Sequence, residues 1–391
     1  MKHLILFAIG LVFNFSLMAQ PSIEDMLSEI QKNNTTLLAL RKSVDAEEIG
    51  NRTGIYLQNP EAGFNYLWGS PSGIGNRTDF SIKQLVWFPT VYGYKNQIAN
   101  LKNEQAELEY QKQRKAILLQ ARSVLAELAY TNALGSELSR REIHAGQIAG
   151  SYQARYEAGE VSILEYNKAQ LNRLTLNKEI EEAGIERKAL LAQLTALNGG
   201  IPVDFTGVSV PVQTVSPDFD QWYAFAEQTN PVLQWLKQEI TISQKQVDLQ
   251  SAMGLPKIDA GYMSEKVAGE QFQGITVGVS IPLWENKNTV KYAKAKAIAM
   301  QSVEADVKLQ FYNEMKALHA KVAALQNSVA DYKKGLLAFS NSALLQKALD
   351  KGEISLSEYL YELSVYYDST DKLLEMERNL NKAIAELNKF Q

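Results

Sequence analysis

The chain has 391 residues, 46% of them hydrophobic and 21% charged, with a formal net charge of −4 and no cysteine. The missing thiols exclude disulfides, thiolate metal sites, a catalytic cysteine and the lipid-bearing cysteine of a bacterial lipoprotein. Charges of both signs are interspersed, so no polybasic surface points to nucleic acid, and the length suits two or three ordinary domains or one extended duplicated one.

Lys2 and His3, an apolar run from Leu4 to Met18 and the pair Ala19-Gln20 read as a signal peptide over 1–19. That run is too short for a comfortable spanning helix, and no later stretch approaches the ~20 apolar residues one needs. The mature chain is expected to leave the cytoplasm without an α-helical span. A first structural repeat then covers 20–200. Residues 22–32 and 35–56 read as short helices, Ser22 being an N-cap with Asp25 three residues on. Strands follow at 61–68, with Ala62, Phe64, Tyr66 and Trp68 on one face, and at 77–87, with Phe80, Ile82 and Val86 against Asp79, Ser81 and Lys83. Between them Gly69-Ser70-Pro71-Ser72-Gly73-Ile74-Gly75-Asn76 is nearly all turn chemistry. From 91 to 156 a helical pattern without proline would make a rod of roughly 100 Å at 1.5 Å per residue. A return helix is expected over 162–198.

Pro202, Pro211 and Pro217 mark 201–220 as a linker or crossover, with room for a small strand. The second repeat, 221–391, has strands at 257–264 and 272–283 around a loop holding Gly269 and Gly274. An unbroken helix over 287–351 and a return helix over 355–389 follow. Alternation would equally suit a globular sheet packed on helices. Apolar positions Phe311, Met315, Leu318, Val322, Leu325, Val329, Tyr332, Leu336 and Phe339 recur in steps of four and three, as do Leu363, Tyr366, Leu373, Leu380, Ile384 and Leu387 on one seam of the last helix. A 3.5-residue repeat of this kind gives left-handed coiled-coil packing.

The two halves share one motif. Gly159-Glu160-Val161-Ser162-Ile163-Leu164-Glu165-Tyr166 returns as Gly352-Glu353-Ile354-Ser355-Leu356-Ser357-Glu358-Tyr359, so the chain is two copies of one unit. Gly159 and Gly352 can reverse a helical hairpin at least steric cost, and Ser162 with Glu165, like Ser355 with Glu358, can form a capping box. Turn and cap chemistry alone accounts for these residues. If the strands lie in a bilayer, four of them leave free edges in hydrocarbon, and copies must pool strands to close a barrel. Tyr66, Trp68, Trp87, Tyr262 and Trp284 near the strand ends would suit an interfacial aromatic girdle, or ordinary packing at strand-to-helix corners. His144 and His319 are solitary on helices, and no phosphate loop, nucleophile elbow or metalloprotease motif occurs. No cofactor, metal site or enzyme activity is expected.

The signal peptide, the duplicated hairpin-and-helix unit and the motif Arg155-Tyr156-x-x-Gly159-x-x-Ser162-x-x-Glu165-Tyr166 resemble the TolC family of outer-membrane efflux channels over essentially the whole mature chain. The second copy departs in having Ala348-Leu349 where the first has Arg155-Tyr156. Lys168 and Tyr361 stand where some members carry a further acidic residue. The resemblance implies a mixed α/β membrane protein. Its two β-hairpins would join a trimeric twelve-stranded barrel in the outer membrane of a Gram-negative bacterium, above a coiled-coil helical tunnel in the periplasm. The count of three comes from the resemblance. It further implies docking of a periplasmic adaptor (a membrane fusion protein) at a tip made by Arg155, Tyr156, Gly159, Ser162, Gly352 and Ser355. Glu165, Glu358 and Tyr361 are the candidates for a tunnel-mouth gate. An inner-membrane pump would drive substrate through the duct; the compact length resembles the subset partnered with metal-exporting resistance-nodulation-division pumps. The same architecture could serve type I protein secretion, and a periplasmic coiled-coil scaffold is the alternative of a different class.

Overall fold

A computed structural model of the chain describes residues 22–211, 215–339 and 342–390. The signal peptide expected over 1–19 lies outside the described residues. Helix α1 (Ile23–Asn33) starts in a closed capping box: the Ser22 hydroxyl accepts from the Asp25 N–H, and the Asp25 carboxylate accepts from the Ser22 N–H. Asn34 then ends α1 and caps α2 (Thr35–Asn51) with its side chain. Helix α2 stops short of the 56 expected, because the chain turns at Arg52–Thr53 and passes through Gly54 at φ +70, a conformation that favours glycine.

Strands β1 (Glu61–Leu67) and β2 (Arg77–Val86) form the first hairpin. Helix α3 (Pro89–Glu157) runs unbroken for 69 residues, about 100 Å, with proline at its tolerated first turn. Helix α4 (Ile163–Leu197) returns along its far half. The crossover region holds no strand among its described residues. Two helices not anticipated from the sequence follow, α5 (Phe219–Thr229), capped by Asp218, and α6 (Pro231–Ala252), capped by Asn230. They repeat the α1–α2 pair, with Asn230 in the role of Asn34.

Strands β3 (Lys257–Val267) and β4 (Glu270–Ser280) make the second hairpin. Its turn is Ala268-Gly269, both at positive φ (50 and 98), as a two-residue hairpin turn requires. Gly274 is therefore inside β4, opposite Met263, rather than in a loop. The helix expected over 287–351 is divided into α7 (Thr289–Ala338) and α8 (Ser342–Asp350). Helix α7 ends where the Phe339 backbone, at φ −108 and ψ 18, leaves the helical region, its N–H still donating to the Gly335 carbonyl. Helix α9 (Leu356–Leu387) closes the fold.

The four strands form one antiparallel sheet in the order β1-β2-β3-β4, so the two hairpins are joined by β2–β3 pairing from Arg77↔Val267 to Val86↔Ile258. Pairing puts Ala62, Ile82, Tyr262 and Ile275 in one row, with Phe64, Phe80, Val277 and Val279 on the same face. This face is uncovered: Ile275 is 85% and Val277 73% exposed. The other face carries Glu61, Asn65, Asp79, Ser81, Lys83, Asp259, Glu265 and Thr276, interrupted by the apolar Leu67, Leu85, Met263, Val267 and Phe272. Among the described residues, β1 and β4 have no strand beyond them. No helix among the described residues is long and apolar enough to cross a membrane.

Helix α3 is the spine. Its first turns pack Val91 and Ile98 on Ile242, Leu249 and Ala252 of α6. Its middle buries Ala121, Leu125 and Leu128 against α1 and the end of α4, and its far end packs Ile148 and Tyr152 against α9. Around α5, a second core joins Phe311, Met315, Val322 and Val329 of α7 to Leu373, Leu380 and Ile384 of α9. Those are seam positions of the 3.5-residue repeat. Leu128 is fully buried where α1, α3 and α4 meet, so Leu128→Ala is expected to cost ~2–5 kcal/mol, read as a lower guanidinium midpoint by circular dichroism. The exposed Ile185→Ala should change that midpoint little.

Candidate functional site at the hairpin tips

Both tips are built the same way. Gly159 (φ +75) and Gly352 (φ +72) end their helices in the left-handed region. At the first tip the Gly159 N–H donates to the Tyr156 carbonyl (3.0 Å) and the Glu160 N–H to that of Arg155 (2.8 Å). At the second, Gly352 donates to Leu349 (3.0 Å) and Glu353 to Ala348 (2.9 Å). This pairing of bonds satisfies the last carbonyls of the helix, and glycine alone adopts it without strain. The returning helices start in matched capping boxes. The Ser162 N–H donates to Glu165 Oε2 (3.0 Å) and the Ser355 N–H to Glu358 Oε2 (2.8 Å). Each serine hydroxyl in turn accepts from its glutamate's N–H. The bond from the serine N–H, then that from the serine hydroxyl, hold both carboxylates below the ordinary glutamate range. The two gate candidates Glu165 and Glu358 are thus engaged as caps.

The surroundings of the two turns differ. Tyr156 stacks on Tyr166 (centroids 5.4 Å, 14° between planes), and Arg155 lies over Tyr152 (5.2 Å) with its Nε 3.6 Å from Glu160. At the second tip Leu349 packs into the cluster of Ile148, Tyr152, Leu356 and Tyr359. Lys168 on α4 reaches across to Ser357 Oγ at 2.5 Å. Tyr361 projects exposed from α9, its carbonyl accepting from Ser364. The tips share a cleft of 780 Å3 that brings Arg155 and Glu165 of the first together with Gly352 and Ser355 of the second. Gly159 and Ser162 lie outside that lining.

Two further polar contacts between the hairpins escaped the sequence reading. Arg141, 4% exposed, makes a bidentate pair with Asp371 (2.6 and 3.0 Å), donates to the Tyr367 carbonyl and lies over the Tyr367 ring at 4.3 Å. Burial opposes its charge, yet Asp371 and Glu137 outweigh that and raise its proton affinity. The readable signal was a charge inside an apolar seam: Leu134, Leu138, Arg141, Ala145, Ile148 and Tyr152 recur in steps of four and three. Beside it, His144 Nε2 is 2.8 Å from Gln346 Oε1, and the fully buried Tyr359 donates its hydroxyl to the same oxygen at 2.8 Å. Burial pushes the Tyr359 phenol well above its usual value, so it remains a donor.

The girdle candidates do not form one belt. Tyr66 and Trp68 meet edge to face (5.7 Å) near the hairpin turns, where Asn76 donates to the Tyr66 hydroxyl. Tyr262 sits mid-strand beside Ile275, because β3 runs on to Val267 instead of ending near 264. Trp87 is a half-buried corner residue with Lys257 Nζ 4.1 Å from its ring, whereas Trp284, also at the helix end, is 81% exposed.

No protein-family model and no curated protein matches the sequence. Solved structures do. CusC, described for its folding and transmembrane channel formation, superposes with a TM-score of 0.78 at 12% identity, over 95% of this chain and 92% of its own. The Campylobacter jejuni CmeC outer membrane channel gives 0.71 at 14% identity, over 94% and 84%. The open Neisseria gonorrhoeae MtrE outer membrane channel gives 0.72 at 13%, over 94% and 88%. The chain has the outer-membrane channel fold. That likeness runs through nearly the whole chain.

Because Glu165 and Glu358 are depressed in the folded chain, their caps stabilise the tip helices above the ordinary glutamate range, about pH 4.3. That stabilisation is lost as pH falls through the lower folded values. Amide exchange in the first turns of α4 and α9 should therefore accelerate on acidification below about pH 4. The E165Q/E358Q double variant should show a weaker acceleration.

Proposed function

We propose that this protein is the outer-membrane exit duct of a tripartite efflux system. One observation carries the reading: an uncovered apolar sheet with two free edges, continuous with a helical rod of about 100 Å. Water disfavours an exposed apolar face of this extent, and hydrocarbon disfavours unpaired edges. Closure with further copies answers both constraints. Three copies would supply twelve strands, with the row of Ile275, Val277 and Val279 toward lipid and that of Asp79, Asp259 and Glu265 toward water.

The helices support side-by-side copies too. Leu164, Leu171 and Leu174 form an exposed seam on α4. A groove of 480 Å3 between α7 and α9 is lined by Tyr332, Leu336, Phe339, Leu345 and Val365. By helical rise, both lie within roughly 10–30 Å of their tip turns, so the seam of one copy can enter the groove of the next. The tips at the far end of the rod are where a periplasmic adaptor would dock. Arg155 and Tyr156 single out the first tip, while Glu165, Glu358 and Tyr361 would line the tunnel mouth. An inner-membrane pump would select and drive the substrate. A periplasmic scaffold that never inserts would leave the apolar sheet face in water, which counts against that reading.

Cell fractionation with cross-linking tests the assembly. A trimer in the outer membrane is expected, and a soluble periplasmic monomer would sink the proposal. Val277→Lys on the lipid-facing row should lose ~2–4 kcal/mol of insertion and reduce the outer-membrane pool, whereas Ser81→Lys on the other face should not. Arg155→Ala with Tyr156→Ala should lower adaptor cross-linking and raise sensitivity to exported compounds at unchanged outer-membrane level. Leu349→Ala should do less.

A further inference from the structure

Helix α8 is a separate piece of the second hairpin. It follows the division after Ala338, ends at the Gly352 turn, and packs Leu345 and Leu349 onto the tip cluster. One polar tie from the first hairpin reaches it, the His144–Gln346 contact. The Gln346 amide is oriented by its other end, where Nε2 donates to Asp350 at 2.8 Å. Its Oε1 therefore points to His144 and Tyr359, and as an amide oxygen it only accepts. Tyr359 supplies one proton, so the 2.8 Å contact requires His144 to present an N–H from Nε2.

We propose that His144, Gln346 and Tyr359 form a proton-sensitive clasp that holds α8 against the first hairpin and tightens on acidification. Imidazole is the side chain that gains charge between about pH 8 and pH 5. Protonation here leaves the Nε2–H bond in place and makes it charge-assisted. Charged groups face it from each element packed around it. From α8, Asp350 is one hydrogen bond away through the Gln346 amide, and from α4 Glu165 faces the same cleft. The cations of the cleft are taken: Arg155 has Glu160 at 3.6 Å and Lys351 has Glu353 at 3.8 Å. On α3 itself Arg141 is held by Asp371, and Glu142 pairs with Arg173 at 2.9 Å. From α9, Tyr359 stays neutral. A clasp of this kind would make the tip stiffer in an acidic periplasm than in a neutral one. That consequence rests on the exit-duct reading; the clasp itself does not.

Hydrogen–deuterium exchange of the 342–350 peptide in the purified full chain tests it. After correction for the intrinsic pH dependence of exchange, protection of α8 should rise about fivefold from near pH 8 to near pH 5, the gain from a neutral to a charge-assisted bond. His144→Gln keeps a neutral N–H donor at the same reach and should remain at the high-pH level throughout. A parallel rise in H144Q, or none in the wild type, overturns the proposal. Gln346→Glu gives an independent check, since a carboxylate facing the imidazole should move the rise to higher pH. An unmoved rise in Q346E also overturns it. Exchange is read without conduction or adaptor, so its outcome is separate from the fractionation test of the exit-duct reading.

Discussion

A four-stranded antiparallel sheet with one bare apolar face constrains everything else in this molecule. Water disfavours it, because residues such as Ile275 and Val277 are solvated over most of their surface. Nor can it enter a bilayer alone, because the outer edges of β1 and β4 would leave backbone groups unpaired in hydrocarbon. On the exit-duct proposal, closure with further copies relieves both at once. The sheet itself joins the two halves of the chain, since β2 of the first pairs with β3 of the second. Each copy would therefore bring four contiguous strands, and the joints between copies would be β1 against β4.

Once the strands are fixed at one end, the helices have to keep the far end in register across about 100 Å. α3 does this as a single helix that touches α6, α1, α4 and α9 in turn. Its partners α1, α2, α4, α6 and α9 are shorter, and each start is capped by a side chain: Ser22, Asn34, Ser162, Asn230 and Ser355. Caps of this kind contribute ~1 kcal/mol apiece and set where each helix begins. In an assembly of stacked rods, start points matter more than propensity, because a shift of one residue would rotate every seam position away from its partner.

Much of this was legible in the sequence where the chemistry is local. The Gly-Glu-x-Ser turns needed a left-handed residue and a cap within a few positions, and both formed at both sites. Strand alternation and the 3.5-residue seam were readable for the same reason. What escaped depends on contacts distant in sequence or on weak local competition. The division between α7 and α8 comes without a proline to mark it, and α5 and α6 were hidden by a linker rich in proline just before them. Tyr262 was expected near a strand end because β3 was read three residues short. His144 looked solitary since its partners, Gln346 and Tyr359, lie some two hundred positions away.

The polar contacts between hairpins explain why the duplicated tips need not behave alike. An apolar seam would hold α3 on α9 at least as well as Arg141 with Asp371 does, since desolvation offsets much of the gain of a buried ion pair. What the pair adds is register: Arg141 can meet the Asp371 carboxylate and the Tyr367 ring together only at one axial position. Below that fixed point the hairpins diverge. The first tip continues as one helix into its turn, stiffened by Tyr156 on Tyr166. The second reaches its turn through a separate nine-residue helix, α8, held by Leu345, Leu349 and Gln346. Equal turns thus stand on unequal supports, one continuous helix behind the first and two helical pieces behind the second.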